Sequence, residues 1–258
     1  MIEFIDTHSH LYDEAFDSDR EEAVRRSVDS GVTSCILPAI DKSSHNSLLK
    51  CEETFKGYAF AAAGLHPTSV KDDWESELEF VFEECSRRRY IAIGEIGMDG
   101  YWSKEYMAEQ ATVFREQLKL ASSLNLPVII HSRDSYEEIF SVLKSCKSIE
   151  MRGVFHAFSG STEIFQRLRG YGDFKVGIGG VVTYKKAHIA ESVKEIGLDN
   201  IVLETDSPWL TPVPFRGKKN EPSYIVHIAG KLSEIFNIPV EDIAAVTTSN
   251  GRKLFNLQ

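Results

Sequence analysis

The sequence predicts one α/β domain, residues 1–258, folded as a (β/α)8 or TIM barrel with a metal site at the C-terminal ends of its strands. Three observations predict it. The chain has 258 residues, close to the roughly 250 typical of such a barrel. Short apolar runs alternate with segments of helical periodicity, as parallel strands joined by crossover helices require. Histidines and acids recur where those runs end, on the rim where a barrel carries its chemistry.

Taken in order, the first run is Ile2–Asp6, and it leads into His8-Ser9-His10. Side chains two apart in an extended chain point the same way. His8 and His10 therefore project together and form half of a metal site. A helical pattern over Arg20–Ser30 precedes the second and third strands, Thr33–Pro38 and Tyr58–Ala63. The third leads to His66-Pro67, and Glu75–Arg88 is helical. Tyr90–Gly94 is the fourth strand, ending against Glu95, and Ala108–Ser123 is the helix after it. Pro127–His131 ends in His131-Ser132-Arg133. Asp134-Ser135 should cap the next helix, Glu137–Ser145, whose first turn carries two acids. Gly153–His156 is the sixth strand, and Ser161 should cap Thr162–Arg169. In the seventh, Phe174–Gly177, the run Gly177-Ile178-Gly179-Gly180 has the wrong spacing for a dinucleotide fingerprint and reads as close packing. Ile201–Glu204 is the eighth and leads to Thr205-Asp206-Ser207-Pro208. The irregular stretch Ser207 to Asn220 follows, and loops of that length are usually functional. Pro222 suits the first turn of Tyr224–Phe236. Val240–Phe255 has acids early and bases late, as the helix dipole prefers.

Composition narrows the class. Hydrophobic content of 42% and charged content of 26% are ordinary for a soluble globular chain. No run approaches the roughly 18 apolar residues that span a bilayer, and the N-terminus has no signal-like basic and apolar segments. The expectation is a cytoplasmic protein with no membrane contact and no obligate protein partner. Cys35, Cys51, Cys85 and Cys146 are scattered, without a C-x-x-C pair, and read as free thiols in a reducing compartment. A net charge of −10 argues against broad duplex binding, which needs a basic surface.

His8, His10, Glu95, His131, His156 and Asp206 would meet at one mouth. Four imidazoles and two carboxylates exceed the needs of one tetrahedral ion. They suit two divalent ions roughly 3.5–4 Å apart. Glu95, central in strand order, is the expected bridge. His8, His10 and Asp206 would complete one ion, and His131 and His156 the other. Imidazoles favour zinc, nickel, manganese or iron, while carboxylates and phosphate oxygens suit magnesium or manganese. Asp206 would take a proton from the attacking water. Glu204 faces the same way as Asp206 and would orient a ligand histidine. His66, Arg133, Arg216, Lys218 and Lys219 are the candidate phosphate contacts. Tyr101, Trp102 and Phe215 are candidates for stacking on bases. His45, His188 and His227 read as surface or packing residues.

Over its whole length the chain resembles the TatD family of metal-dependent deoxyribonucleases. The resemblance rests on Phe4-Ile5-Asp6-Thr7-His8-Ser9-His10-Leu11, Gly64-Leu65-His66-Pro67 and Ile93-Gly94-Glu95-Ile96-Gly97. Val128-Ile129-Ile130-His131-Ser132-Arg133, His156-Ala157-Phe158-Ser159-Gly160 and Leu203-Glu204-Thr205-Asp206-Ser207-Pro208 carry it further, and Arg216 to Pro222 adds a family-like segment. The resemblance implies metal ligation by the same six residues. It implies hydrolysis of DNA phosphodiesters, commonly from a 3′ end as a 3′-5′ exonuclease on single-stranded DNA or 3′ ends, with magnesium supporting activity. One departure is Met98-Asp99-Gly100-Tyr101-Trp102, where the family often reads Leu-Asp-Tyr-Tyr. The rival is a small-molecule amidohydrolase or phosphoesterase on the same metal-dependent barrel, because fold and metal do not set the substrate.

Overall fold

A computed structural model describes residues 2–185 and 187–257. Its strands are β1 (Phe4–Asp6), β2 (Val32–Leu37), β3 (Ala59–Ala61), β4 (Ile93–Asp99), β5 (Val128–Arg133), β6 (Arg152–Phe155), β7 (Asp173–Ile178) and β8 (Ile201–Leu203). β1 to β3 pair in sequence order, as do β4 to β8, and every pairing is parallel. Two seams join these runs. Between β3 and β4, Ile91 N donates to Ala61 O at 3.0 Å and Gly94 N to Ala63 O at 2.8 Å. Between β8 and β1, Thr7 N donates to Leu203 O at 3.0 Å and Asp206 N to His8 O at 2.9 Å. The ladder therefore closes on itself as a (β/α)8 barrel, which leaves no open sheet edge.

The helices are α1 (Arg20–Asp29), α2 (His45–Thr54), α3 (Trp74–Arg87), α4 (Met107–Ser123), α5 (Tyr136–Ser145), α6 (Thr162–Arg169), α7 (Ile189–Ile196), α8 (Ile225–Phe236) and α9 (Val240–Phe255). α9 returns to the seam, where buried Asn250 donates to Ile201 O at 2.8 Å and Thr248 to Glu3 O at 2.8 Å. No helix among the described residues is long and apolar enough to cross a membrane.

The strand period divides the core. Cys35, Leu37, Val128, Ile130, Phe155 and Ile201 belong to the large apolar cluster that also takes in the helices. The alternating residues Ile36, Ala62, Ala92, Ile129, Val154 and Val202 form a second cluster with Leu254 and Phe255. That second set is the filling inside the barrel. Two residues beyond Ile129, Val154 and Val202 stand His131, His156 and Glu204. The two-residue repeat of a strand thus carries the apolar filling directly into the polar rim.

Two local expectations are corrected. β4 runs Ile93–Asp99 instead of Tyr90–Gly94, because pairing with β5 continues from Ile96↔Ile130 to Asp99↔Arg133 past an irregularity after Ile93. Glu95 consequently lies within the strand. Ser135 does not cap α5; its hydroxyl donates to Met98 O at 2.7 Å. Ser161 does cap α6, accepting from Ile164 N at 3.4 Å. α2 and α7 are helices that the periodicity did not single out. Of the two roles expected for His45, surface or packing, it takes packing: it is buried and bonds to the Tyr90 hydroxyl at 3.0 Å.

Candidate metal centre

The barrel brings all six expected ligands together around Glu95. Its Oε2 lies 3.2 Å from His8 Nε2 and 3.7 Å from His10 Nε2. Its Oε1 lies 2.7 Å from His156 Nε2, 2.9 Å from His131 Nδ1 and 3.2 Å from His66 Nε2. Asp206 Oδ1 completes the first side, 3.5 Å from His8 Nε2 and 3.7 Å from His10 Nε2. Among the described residues three groups have ligand atoms within 4.8 Å of one another: His8–His10–Glu95, His8–His156–Glu204 and His66–Glu95–His131.

Hydrogen bonds fix which face each imidazole presents. The Tyr12 hydroxyl donates to Pro38 O at 2.6 Å, so toward His10 Nδ1, at 2.9 Å, it can only accept. His10 therefore carries its proton on Nδ1 and turns a bare Nε2 toward the cluster, the form a metal takes. His131 Nε2 donates to Asp99 Oδ2 at 2.8 Å, which leaves Nδ1 for the cluster. His66 Nδ1 accepts from Thr68 N at 3.1 Å, so its N–H is on Nε2 and points at Glu95.

Backbone geometry holds these groups in place. Asp6 is fully buried and crosses the β8–β1 seam, accepting from Thr205 N at 2.9 Å, Thr205 Oγ1 at 2.6 Å and His8 N at 3.3 Å. Buried Asn220 donates to Thr205 O at 2.7 Å and Trp209 O at 2.6 Å, bracing the turn that carries Asp206. Asp206 itself has φ +56°, a left-handed position that Asp tolerates better than most residues. At Gly177 any Cβ would run into the Glu204 carboxylate, which accounts for glycine there.

The electrostatics ask for cations. Asp6, Glu95, Asp99, Glu204 and Asp206 are all buried, and among the described residues no lysine or arginine pairs with any of them. Isolated buried carboxylates are costly. Burial pushes Asp206 up to about 7 and Glu204 up to about 8. Burial also opposes charge on His8 and His131, but the acids beside them win. Glu95 carries His8 up to about 9, and Asp99 with Glu95 does the same for His131. Protons on imidazole thus supply positive charge that the acids demand. Burial meanwhile holds His156 down, to about 3, and keeps His10 well below the usual imidazole range. Buried His8 Nδ1, His156 Nδ1 and Glu204 Oε2 have no partner. The neutral imidazoles of His10 and His156, acids with no lysine or arginine beside them and orphaned polar atoms at one point fit divalent cations.

The cluster opens into a cavity of about 670 Å³, lined among others by His66, Trp102, Arg133, Ser159, Asp206 and Trp209. Arg133 lies at its edge with its guanidinium 3.6 Å from the centre of the Tyr101 ring. Arg216, Lys218 and Lys219, the expected phosphate contacts of the eighth loop, make other contacts here. None of the three lines the cavity. Lys219 pairs with Asp19 and donates to Ala15 O at 3.0 Å, Arg216 lies over Tyr184, and Lys218 lies beside Phe215. Phe215 stacks on Tyr224 at 4.4 Å. Residues that sequence reasoning left unassigned are Asp6, Tyr12, Asp99, Trp209 and Asn220. Asp99 had a signal: it is an acid two residues after Gly97 in a strand-end motif, and the extension of β4 delivers it to His131.

Known proteins bear on this geometry. A sequence profile described as TatD related DNase matches residues 5–256. The metal-dependent hydrolase YabD of Bacillus subtilis, itself uncharacterized, is 38% identical over 98% of both chains. The crystal structure of the Escherichia coli TatD homolog YjjV superposes with a TM-score of 0.90 at 31% identity, covering 99% of this chain and 98% of that one. A TatD-family hydrolase from Entamoeba histolytica has a TM-score of 0.83 at 20% identity over 100% of this chain and 99% of its own, a likeness of fold. A buried carboxylate–imidazole centre on the rim of a closed barrel, in a chain matched end to end by these relatives, makes this protein a member of the TatD family of metal-dependent hydrolases.

Proposed function

We propose that the protein is a 3′-5′ exodeoxyribonuclease that hydrolyses phosphodiesters of single-stranded DNA with two divalent cations, magnesium in the working enzyme. The observation that carries this reading is the division of histidines by Glu95. One oxygen faces His8 and His10 and the other faces His131, His156 and His66, an arrangement in which Glu95 would serve a cation on either side. The family description, TatD related DNase, supports the substrate. The free cysteines suit the reducing cytoplasm.

His8, His10 and Asp206 would hold one cation, His131 and His156 the other, and Glu95 both. Bound there, the cations supply Lewis acidity to the phosphate oxygens and make water a stronger acid. The chain's own groups do the rest. Asp206, whose Oδ1 faces His8 and His10, accepts the proton of the attacking water. With the Glu95 carboxylate given over to cations, the Nε2–H of His66 that points at it would be free for a phosphate oxygen, a contact that strengthens as charge develops there. Glu204 Oε1 takes the N–H of Ala157 at 2.5 Å and lies 3.9 Å from His156 Nδ1, holding the residue that follows β6. Asp99 holds His131.

A second reading, a small phosphoester as substrate, is favoured by one observation: Arg133 is the single lysine or arginine in the described lining of the cavity. The two are separated by incubating the magnesium-loaded protein with 5′-labelled single-stranded oligonucleotides whose 3′ ends are free or blocked. Shortening from free ends only is expected. Intact oligonucleotides beside rapid turnover of a small phosphoester would replace the proposal with the second reading.

A further inference from the structure

Two indoles stand in water at the mouth of the centre. Trp102 is 70% exposed and Trp209 is 46% exposed, yet both line the same cavity. Large aromatic side chains left in solvent on a functional rim mark a binding surface better than a packing defect. Each is fastened to a different end of the ligand cluster. Trp209 N donates to Asp206 O at 2.9 Å, its carbonyl is held by Asn220, and its ring meets the His10 ring edge-on at 4.9 Å. Trp102 N donates to Asp99 Oδ1 at 3.2 Å, while the other oxygen of Asp99 accepts from His131 Nε2 at 2.8 Å. Glu95 lies between His10 and His131.

We infer that Trp209 and Trp102 are two base-stacking subsites that receive the nucleobases on either side of the scissile phosphate. The inference rests on the DNA reading above and specifies how the strand lies. A phosphate over Glu95 leaves one neighbouring base beside the His10–Asp206 end and the other beside the His131–Asp99 end. Charge points the same way. With Arg133 as the one lysine or arginine in the described lining, side-chain cations grip little of the strand beyond the cleaved phosphate, which leaves stacking to hold the rest. Stacking tolerates any base. It also requires bases freed from a duplex, which makes single strands the substrate. Few phosphate contacts make the salt dependence shallow, with a slope near −0.7 for a single ion pair to a single strand.

The test uses the full chain loaded with magnesium and single-stranded oligonucleotides carrying an abasic tetrahydrofuran residue at the last or next-to-last 3′ position. Wild type should lose roughly tenfold to hundredfold in kcat/KM for either abasic substrate. Trp209→Ala should lose its sensitivity to one position and Trp102→Ala its sensitivity to the other, while each Trp→Phe variant keeps most of both. Circular dichroism melts establish that the variants are folded. Abasic substrates cleaved at the normal rate, or an undiminished abasic penalty in both Ala variants, would overturn the inference and leave the nuclease standing. Intact oligonucleotides with wild type would overturn both.

Discussion

Gly97 sits where β4 carries Glu95 past His131, and replacing it by alanine should damage fold and metal site together. Its φ is +133°, a conformation that L side chains rarely adopt. A Cβ there would press on the His131 carbonyl oxygen and lie 3.0 Å from its carbon and 3.1 Å from its nitrogen. Those atoms belong to the paired strand, and Gly97↔His131 is a register pair. They cannot swing aside as the end of a side chain could. The φ penalty is about 1–2 kcal/mol, and forcing the strands apart adds about 1–3 kcal/mol. The sum corresponds to a fall in Tm of roughly 4–20 °C for a domain of this size. Gly57 separates the two contributions: its φ is +87° but nothing lies within 4 Å of an added Cβ. Gly57→Ala should show the conformational part alone. Calorimetric melting of both variants, with titration of manganese into the metal-free proteins, is the assay. Gly97→Ala should melt lower than Gly57→Ala and bind metal at least tenfold more weakly than wild type, the low end of what displaced supporting groups cost. Equal melting and unchanged affinity would refute the claim that strand contact at this point sets the site.

Three other perturbations follow from the same structure. Asp99→Asn leaves one oxygen to serve both His131 on one side and the amides of Tyr101 and Trp102 on the other, so metal affinity should fall roughly 10–100-fold; unchanged affinity by calorimetric titration would contradict it. Asn220→Ala strands the Thr205 and Trp209 carbonyls in a buried turn, at a cost of about 2–3 kcal/mol in urea denaturation, and should slow turnover by loosening Asp206; a neutral variant would refute the brace. Burial holds the His45 imidazole below its ordinary value of 6.5, with Glu84 partly opposing. The unfolded chain therefore takes up a proton that the folded chain refuses, and this contribution to stability, present above about pH 6.5, declines as pH falls through it. Urea midpoints at about pH 7.5 and about pH 5.5 should differ more for wild type than for His45→Gln, and equal differences would show that His45 does not contribute.

The barrel was legible because its signals are local and repeated: apolar runs of strand length, helical segments between them, and polar residues at the strand ends. The convergence of His8, His10, Glu95, His131, His156 and Asp206 follows from that topology alone, since every parallel strand of a closed barrel delivers its end to one rim. Less legible was what depends on register or on partners far away in the chain. Asp99 reaches His131 only because β4 pairs with β5 as far as Arg133, and no periodicity announces where a ladder stops. Lys219 looked like a phosphate ligand in a basic run, but its partner Asp19 lies 200 positions earlier. α2 escaped notice because its sequence, HNSLLKCEET, buries only His45, Leu48 and Cys51, too few for a clear stripe. Tyr12 and Asn220 act through backbone carbonyls, and a residue's choice of carbonyl leaves no pattern in the sequence.

Glu95 would be shared between two cations, one on the side of His8 and His10 and one on the side of His131 and His156. Anomalous diffraction from crystals soaked in manganese measures this directly. Two peaks flanking the Glu95 carboxylate, reduced to one or none in Glu95→Gln, are expected. A single peak in the wild-type protein, or metal bound away from Glu95, would contradict it.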